Sequence, residues 1–193
     1  MNMVNVGIFL FNEVEVLDFA GPFEVFSVTS ELSEYSLLKV FTISRDGKMV
    51  TAVNGLKVLP DYSFDLHPQI DILVIPGGVG SKKEIEDKET LEWVKKNYLT
   101  SQITFSVCSG ARILGKLGLL DGLKSITHHE VISHLKEIAP LTIIDVDSRY
   151  IDNGKIMTSA GISAGIDLSL HIVRKLFGTE IERKTIEYME YKI

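Results

Sequence analysis

The chain contains a single cysteine, Cys108, which lies in the segment TFSVCSGA between a β-rich apolar run and the turn-forming pair Ser109-Gly110. A thiol at the turn from a strand to a helix receives the free N–H groups and partial positive charge of the helix N-terminus, which favour the thiolate. Gly110 allows a sharp backbone turn, and Ser109 leaves space beside the sulfur. The segment therefore makes Cys108 a candidate nucleophile, although on this segment alone burial as a small hydrophobic residue is the better explanation.

Residues on two other predicted loops are candidates to assist this thiol. Gly77 and Gly78 follow the apolar run DILVIP, and paired glycine amides after a strand can form an oxyanion hole, although the pattern alone favours an ordinary glycine turn. Asp18 lies between Leu17 and Phe19, where an apolar setting would raise the pKa of its carboxyl group and let it carry a proton. Capping of the following helix is the alternative role for Asp18.

His128 and Glu24 are weaker candidates for the same site. His128 follows the short segment SIT and could face the cleft, although a surface or helix-start position explains it better. Glu24 could reach the cysteine loop from the first helix, and exposure to solvent explains it equally well. No two histidines have the i, i+4 spacing of a helical zinc pair, so neither a metal site nor a cofactor is expected.

The elements that must position these residues alternate between strands and helices. Near-continuous apolar runs, typical of strands buried on both faces, occur in VNVGIFLF, DILVIP and QITFSV. One helix is predicted to begin at Gly21-Pro22, with Pro22 at its first position, and another to span residues 82–99. LTIIDV is predicted to be a further strand. The alternation predicts an α/β fold with a mostly parallel sheet and helices on both faces, in which ligands bind beyond the carboxyl ends of the strands.

Length, charge and cysteine content place further bounds on the protein. The 193 residues fit a single domain, residues 1–193, without an internal repeat or linker. The formal charge of -6 opposes attraction to nucleic acids and anionic membranes, so neither partner is expected. One cysteine cannot form an internal disulfide, and the N-terminal residues lack the pattern of a signal peptide. A cytoplasmic location is therefore expected.

Segments in order across nearly the whole chain resemble the DJ-1/PfpI superfamily: VGIFLFNEVEVLDFAGPFEVF, DILVIPGG, VCSGARILGKLGLLDG, ITHHEV and MTSAGISAGID. Within it, the likeness is greatest to isocyanide hydratases and to the amidotransferase-like ligand domains of AraC-type regulators. The resemblance implies a flavodoxin-like three-layer sandwich, usually a homodimer. The chain ends at Ile193 without residues for the helix-turn-helix domain of the regulators, so direct DNA binding is not expected.

The resemblance also implies roles for individual residues. Cys108 would be the nucleophile at a strained elbow, with Asp18 as its acidic partner. Gly78 would form an anion-binding pocket with the amide of Ser109. Two further residues would lie in the loop that lines this pocket, namely Gly161 and Ile162.

Two classes of function are consistent with these features. The first is cofactor-independent hydration of a small molecule such as an isocyanide, in which Cys108 attacks carbon and Asp18 passes the proton. The second is a non-catalytic role as a sensor of a metabolite or of oxidants. Glyoxalase-type or amidase activity is a third alternative, whereas peptidase activity is disfavoured because Ser109, rather than histidine, follows the cysteine.

Overall fold

The computed structural model describes residues 3–192, so the predicted domain, residues 1–193, extends past this range at both ends. Apolar runs in this range form strands, as the sequence predicts. The strands are β1 (Val4–Phe9), β2 (Leu38–Ser44), β3 (Val50–Thr51), β4 (Lys57–Val58), β5 (Tyr62–Ser63), β6 (Ile72–Ile75), β7 (Ile103–Ser106), β8 (Lys124–Ser125), β9 (Ile143–Ile144), β10 (Tyr150–Asn153) and β11 (Ile156–Ser159).

Seven of these strands form the central sheet, in the order β10-β11-β7-β6-β1-β2-β5. All neighbouring pairs are parallel except β10 and β11, which are joined by a turn at Gly154-Lys155 and run antiparallel. The carboxyl ends of β1, β6 and β7 therefore lie at one edge of the sheet. The loops that follow these three strands carry the candidate residues of the site.

Helices cover both faces of the sheet. They are α1 (Val16–Leu32), α2 (Ser81–Glu84), α3 (Lys88–Thr100), α4 (Ala111–Lys116), α5 (Ile132–Ile138), α6 (Ala164–Phe177) and α7 (Thr179–Tyr188). None of these helices, within the range described, is long and apolar enough to cross a lipid bilayer.

Aromatic side chains show how the layers pack. Ile8 and Phe105 point to the same face of the sheet, because the register pairs each of them with the same residue of β6. Phe26 of α1 packs on that face, with its ring 6.3 Å from the ring of Phe105. Phe9, the next residue of β1, points to the opposite face and packs against Trp93 of α3 at 5.5 Å. The predicted α/β architecture with helices on both faces is confirmed.

The predicted start of the first helix is wrong. Helix α1 begins at Val16, and Pro22 lies inside it. The start is earlier because the preceding loop is held by tertiary backbone bonds, including Glu15 N–H to Gly77 O at 2.9 Å. Pro22 has no N–H to donate to the carbonyl group of Asp18 one turn earlier, yet the helix continues through it.

Two other predicted elements differ from the structure. The predicted helix over residues 82–99 is divided into α2 and α3, because Asp87 caps a new helix by accepting a hydrogen bond from Thr90 N at 2.8 Å. The segment LTIIDV contributes only the two residues of β9, which pair with β8 in a separate small sheet. The apolar run predicts a longer strand, but its partner β8 has only two residues, so β9 is equally short.

Candidate active site

Cys108 lies in a short 3-10 turn between β7 and α4, and its backbone is strained. Its φ of 56° falls in the left-handed region that residues with a Cβ rarely adopt. The N–H of Cys108 donates to Ala160 O at 3.1 Å, and its carbonyl accepts from Thr127 Oγ1 at 2.7 Å. A Cβ on Gly110 would lie 2.2 Å from Ile75 O, so the turn also requires glycine there. Contacts on both sides hold Cys108 in a conformation that it would otherwise leave.

The Cys108 residue is 7% exposed and borders a cavity of about 390 Å³ at this edge of the sheet. Burial and, after it, the nearby Asp18 carboxyl raise the pKa of the thiol to about 12, whereas the N–H groups of Ile162 and Ser109 act in the opposite direction. The expectation of a thiolate at neutral pH is therefore wrong, because two amides and a short helix do not offset the cost of burying the charge. The sulfur is therefore a protonated thiol at neutral pH.

Asp18 supplies a carboxyl group beside this thiol. It is the third residue of α1 and is completely buried, while Glu15 is the residue that precedes the helix, so Asp18 is not the cap. Its Oδ2 accepts from Gly77 N at 2.9 Å, and Oδ1 has no hydrogen-bond partner within residues 3–192. Burial raises the pKa of Asp18 to about 7; the Gly77 amide and the Cys108 thiol act in the opposite direction, and the charge of Glu15 adds to the rise. The group can therefore gain and lose a proton near neutral pH.

The amides of Gly77 and Gly78 are arranged differently from the expectation that they turn toward the cleft. Gly77 N–H donates to Asp18, and Gly78 N–H donates to Ser109 Oγ at 2.8 Å. Both donors are thus already engaged by polar groups of the protein. The N–H groups that act on the sulfur are instead those of Ser109 and Ile162. The role of the glycine pair as an oxyanion hole stays a prediction.

Gly161, Ile162 and His128 form one side of the site. A Cβ on Gly161 would lie 2.3 Å from His128 Cδ2, so the imidazole packs directly on this glycine. Both His128 and Ile162 line the cavity, and Ile162 has a φ of 46°. His128 Nδ1 accepts from Glu130 N at 3.3 Å, and the ring lies 4.3 Å from that of His129. His128 therefore shapes the cavity wall.

Glu24 does not belong to the site. Its side chain is exposed and is not among the residues that line the cavity at Cys108. The reason is helical geometry: six residues beyond Asp18, Glu24 is rotated by roughly 120° around α1 and lies nearly two turns away. The prediction that Glu24 contacts the cysteine loop is wrong, and the alternative, exposure to solvent, is confirmed.

Arg112 is a cavity residue that the sequence did not single out. It is 6% exposed and lines the same cavity as Cys108. Its Nε donates to His134 Nδ1 at 3.0 Å, and its Nη1 donates to Ser81 Oγ at 2.9 Å. A signal was present, since a cation in the first turn of a helix opposes the helix dipole and the surrounding run is apolar. Within residues 3–192, no three His, Cys, Asp or Glu side chains come together as a group able to hold a metal ion.

Comparisons with known sequences identify relatives of this chain. The profile of the DJ-1/PfpI family matches residues 4–175. The isonitrile hydratase of Pseudomonas putida is 30% identical over 191 residues, which cover 97% of this chain and 78% of the hydratase. The HTH-type transcriptional regulator GbdR of Pseudomonas aeruginosa PAO1 is 27% identical over 191 residues, which cover 99% of this chain and 52% of the regulator. The chain thus spans about half the length of that regulator.

Solved structures show the same fold. A ThiJ/PfpI family protein from Pseudomonas syringae has a TM-score of 0.88 at 26% identity, covering 100% of this chain and 77% of that chain. DJ-1beta of Drosophila melanogaster has a TM-score of 0.86 at 18% identity, covering 99% of this chain and 100% of that chain. The predicted flavodoxin-like sandwich is therefore confirmed. The match over residues 4–175 shows that the chain belongs to the DJ-1/PfpI family.

Proposed function

We propose that this protein is a cofactor-independent hydratase of small electrophilic molecules, with isocyanides as the substrate class. Cys108 is the nucleophile and Asp18 carries the proton. The observation that carries the proposal is a fully buried carboxyl group, with its pKa raised to about 7, beside the sole thiol at a strained turn. The 30% identity to an isonitrile hydratase supports the choice of substrate.

The first chemical step joins the sulfur to the substrate. Sγ of Cys108 attacks the isocyanide carbon while the Asp18 carboxylate accepts the thiol proton, and the amides of Ser109 and Ile162 stabilise the negative charge that develops on sulfur. Asp18 then delivers the proton to the same carbon. A C–S and a C–H bond have formed, and the product is a thioimidate on Cys108.

The second step consumes one water molecule. Water adds to the thioimidate carbon as the Asp18 carboxylate accepts one of its protons, and Asp18 passes this proton to the substrate nitrogen, which leaves the hydroxyl proton for the departing sulfur. The C–S bond then breaks, the carbonyl forms and the sulfur regains a proton. An N-substituted formamide leaves, and the sum is the addition of water without oxidation or reduction.

The sensor of oxidants is the weaker alternative. Oxidation of a cysteine requires an accessible thiol of low pKa, whereas Cys108 is 7% exposed and its pKa is raised to about 12 by burial. A sensor that binds a metabolite in the same cavity is supported by the likeness to the regulator GbdR. Turnover distinguishes these roles, because a sensor binds without forming formamide.

The test is formamide production from a panel of alkyl and aryl isocyanides, measured for four proteins. We expect Cys108→Ala to abolish product formation, and Asp18→Asn to lower kcat/KM by about a hundredfold or more, the usual size of a general acid-base contribution. Glu24→Gln is the matched control, since this exposed carboxyl lies on the same helix as Asp18; its activity should equal that of the wild type. Formamide production by Cys108→Ala at the wild-type rate would overturn the proposal.

We also propose the partner, the oligomeric state and the location of the protein. The partner of the site is a small molecule, the protein is a homodimer and the location is cytoplasmic, with no nucleic acid, metal or cofactor required. Light scattering of the purified protein tests the dimer, and turnover after dialysis against a chelator tests independence from metals. Retardation of labelled DNA in a gel tests the nucleic-acid prediction, and a retarded band would contradict it.

A further inference from the structure

We propose that Arg112 binds a carboxylate group of the ligand that enters the Cys108 cavity. If that ligand is the substrate of the proposed hydratase, the substrate class narrows to isocyanides that carry a carboxylate. This narrowing depends on the proposed function. Carboxylate binding itself does not, and it can be measured without turnover.

Arg112 is a buried cation with unused hydrogen-bond donors. It is 6% exposed, and only two of its five N–H groups donate to protein acceptors, one from Nε to His134 and one from Nη1 to Ser81. Within residues 3–192, Nη2 has no acceptor, and no carboxylate forms an ion pair with the guanidinium at 4.0 Å or less. Nη2 is not among the fully buried atoms that lack a partner, so its free N–H groups are accessible to an anionic ligand that enters the cavity.

The position of Arg112 relates it to the reacting sulfur. Arg112 and Cys108 line the same cavity, and they are four residues apart across the turn that begins α4. Burial lowers the pKa of Arg112, and the interaction of Arg112 with the Cys108 sulfur acts in the opposite direction, as expected for two neighbouring groups. A ligand held at the guanidinium would therefore have its neighbouring atoms within reach of Sγ.

The other charges of the cavity favour a carboxylate over a phosphate. Glu15 and Glu130 also line the cavity, and neither pairs with Arg112 or Lys82 among the described residues. Their negative charges repel a phosphate dianion more strongly than a carboxylate monoanion. One guanidinium with free N–H groups matches the two oxygens of a single carboxylate, which is the usual geometry of such pairs.

The experiment compares two alkylating reagents that differ in one group. Iodoacetate carries a carboxylate next to its reactive carbon, and iodoacetamide is its neutral counterpart of similar size. The rate constant for alkylation of Cys108 by each reagent is measured by intact mass, and the ratio of iodoacetate to iodoacetamide is compared between proteins. In Arg112→Gln we expect this ratio to fall about tenfold or more, the factor expected for losing a charge-assisted hydrogen bond.

Lys82→Gln is the matched control, because Lys82 is an exposed cation on the same cavity. Its ratio should stay within about twofold of the wild type, since an exposed charge contributes little. Arg112→Lys should give an intermediate ratio, because it keeps the charge and loses the planar fork. A ratio unchanged in both Arg112→Gln and Arg112→Lys would overturn the proposal, as would an equal fall in Lys82→Gln.

A measurement on the wild-type protein keeps the proposal testable if the Arg112 variants fail to fold. Acetate should protect Cys108 from iodoacetamide at lower concentrations than acetamide does, and equal protection by the two compounds would contradict the proposal. Neither measurement involves isocyanide turnover. Failure of the hydratase proposal would therefore leave these results intact, and failure of carboxylate binding would leave hydration of neutral isocyanides intact.

Discussion

The carboxyl group of Asp18 and the thiol of Cys108 alter each other's acidity. The carboxyl group raises the pKa of the thiol, and the thiol lowers the pKa of the carboxyl group. Burial, the larger effect on both, leaves Asp18 at about 7 and Cys108 at about 12. The two groups titrate as a pair, and the first proton lost as pH rises comes from Asp18. Above about pH 7 the pair therefore consists of a carboxylate beside a thiol.

The first prediction concerns the pH dependence of turnover. In the proposed mechanism the Asp18 carboxylate accepts the thiol proton, so kcat/KM for isocyanide hydration should rise about tenfold per pH unit below the pKa of Asp18 and level off above about 7. The measurement is initial rates of formamide production between pH 5 and 9. A rate that is independent of pH over this range would contradict the base role of Asp18.

A second prediction separates thiol reactivity from catalysis. Asp18→Asn removes the negative charge that raises the pKa of the Cys108 thiol, so iodoacetamide should alkylate the variant faster than the wild type at pH 8. The acceleration should be roughly tenfold for each unit by which the pKa of the thiol falls. The same variant should lose turnover. Slower alkylation of Asp18→Asn would contradict this prediction. It would show that the carboxylate makes the thiol of the free protein more reactive.

The third prediction is that Asp18 makes the free energy of unfolding depend on pH. The folded-state pKa of about 7 lies above the ordinary value of 3.8, so the folded protein binds more protons between these pH values and loses stability as pH rises through them. Asp18→Asn removes this pH-dependent loss of stability, and its side-chain oxygen still accepts a hydrogen bond from the Gly77 amide. The variant should match the wild type near pH 4 and exceed its stability by up to about 4 kcal/mol at pH 8.

Denaturant unfolding at the two pH values measures this difference. Glu24→Gln is the control, because an exposed carboxyl on the same helix should change the free energy of unfolding little at either pH. A gain for Asp18→Asn that is equal at pH 4 and pH 8 would show that its origin is packing rather than titration.

The fourth prediction compares two glycines. In Gly110→Ala the new Cβ would lie 2.2 Å from Ile75 O, a backbone atom that cannot move without disturbing β6. Gly122 has a φ of 73° and no atom within 4 Å of a Cβ, so Gly122→Ala meets only backbone strain of roughly 1 to 2 kcal/mol. Gly110→Ala should cost more than Gly122→Ala in thermal unfolding. Equal losses would show that the cysteine turn tolerates displacement from β6.

Much of the candidate site could be predicted from the sequence because parallel strands end at a common edge. That rule brings Cys108, Asp18 and the Gly77-Gly78 pair together without knowledge of side-chain contacts. The hydrogen-bond acceptor of each glycine amide could not be predicted, because it depends on which carboxyl or hydroxyl oxygen packs next to the N–H group in the folded protein. The charge of the sulfur could not be predicted either, because burial is a property of the packed protein.

Arg112 and the start of α1 were missed for related reasons. Helical spacing and apolar content around Arg112 indicated an ordinary short helix, and its burial follows from contacts with Ser81 and His134 on other segments. The start of α1 depends on backbone bonds from its preceding loop to the glycine loop. Propensity placed Pro22 at the helix start, and tertiary bonding moved the start to Val16.

The consecutive amides of Gly77 and Gly78 bind to two different segments, one to the Asp18 carboxyl and the next to the Ser109 hydroxyl beside Cys108. Two consecutive peptide units, joined at Gly77, thus connect Asp18 to the residue that follows Cys108. His128 and Glu130 line the cavity and accept from neither of these amides, so we expect substitutions there to change which molecules fit without breaking this connection. We therefore expect proteins with this arrangement of Asp18 and Cys108 to differ in substrate through the residues that line the cavity.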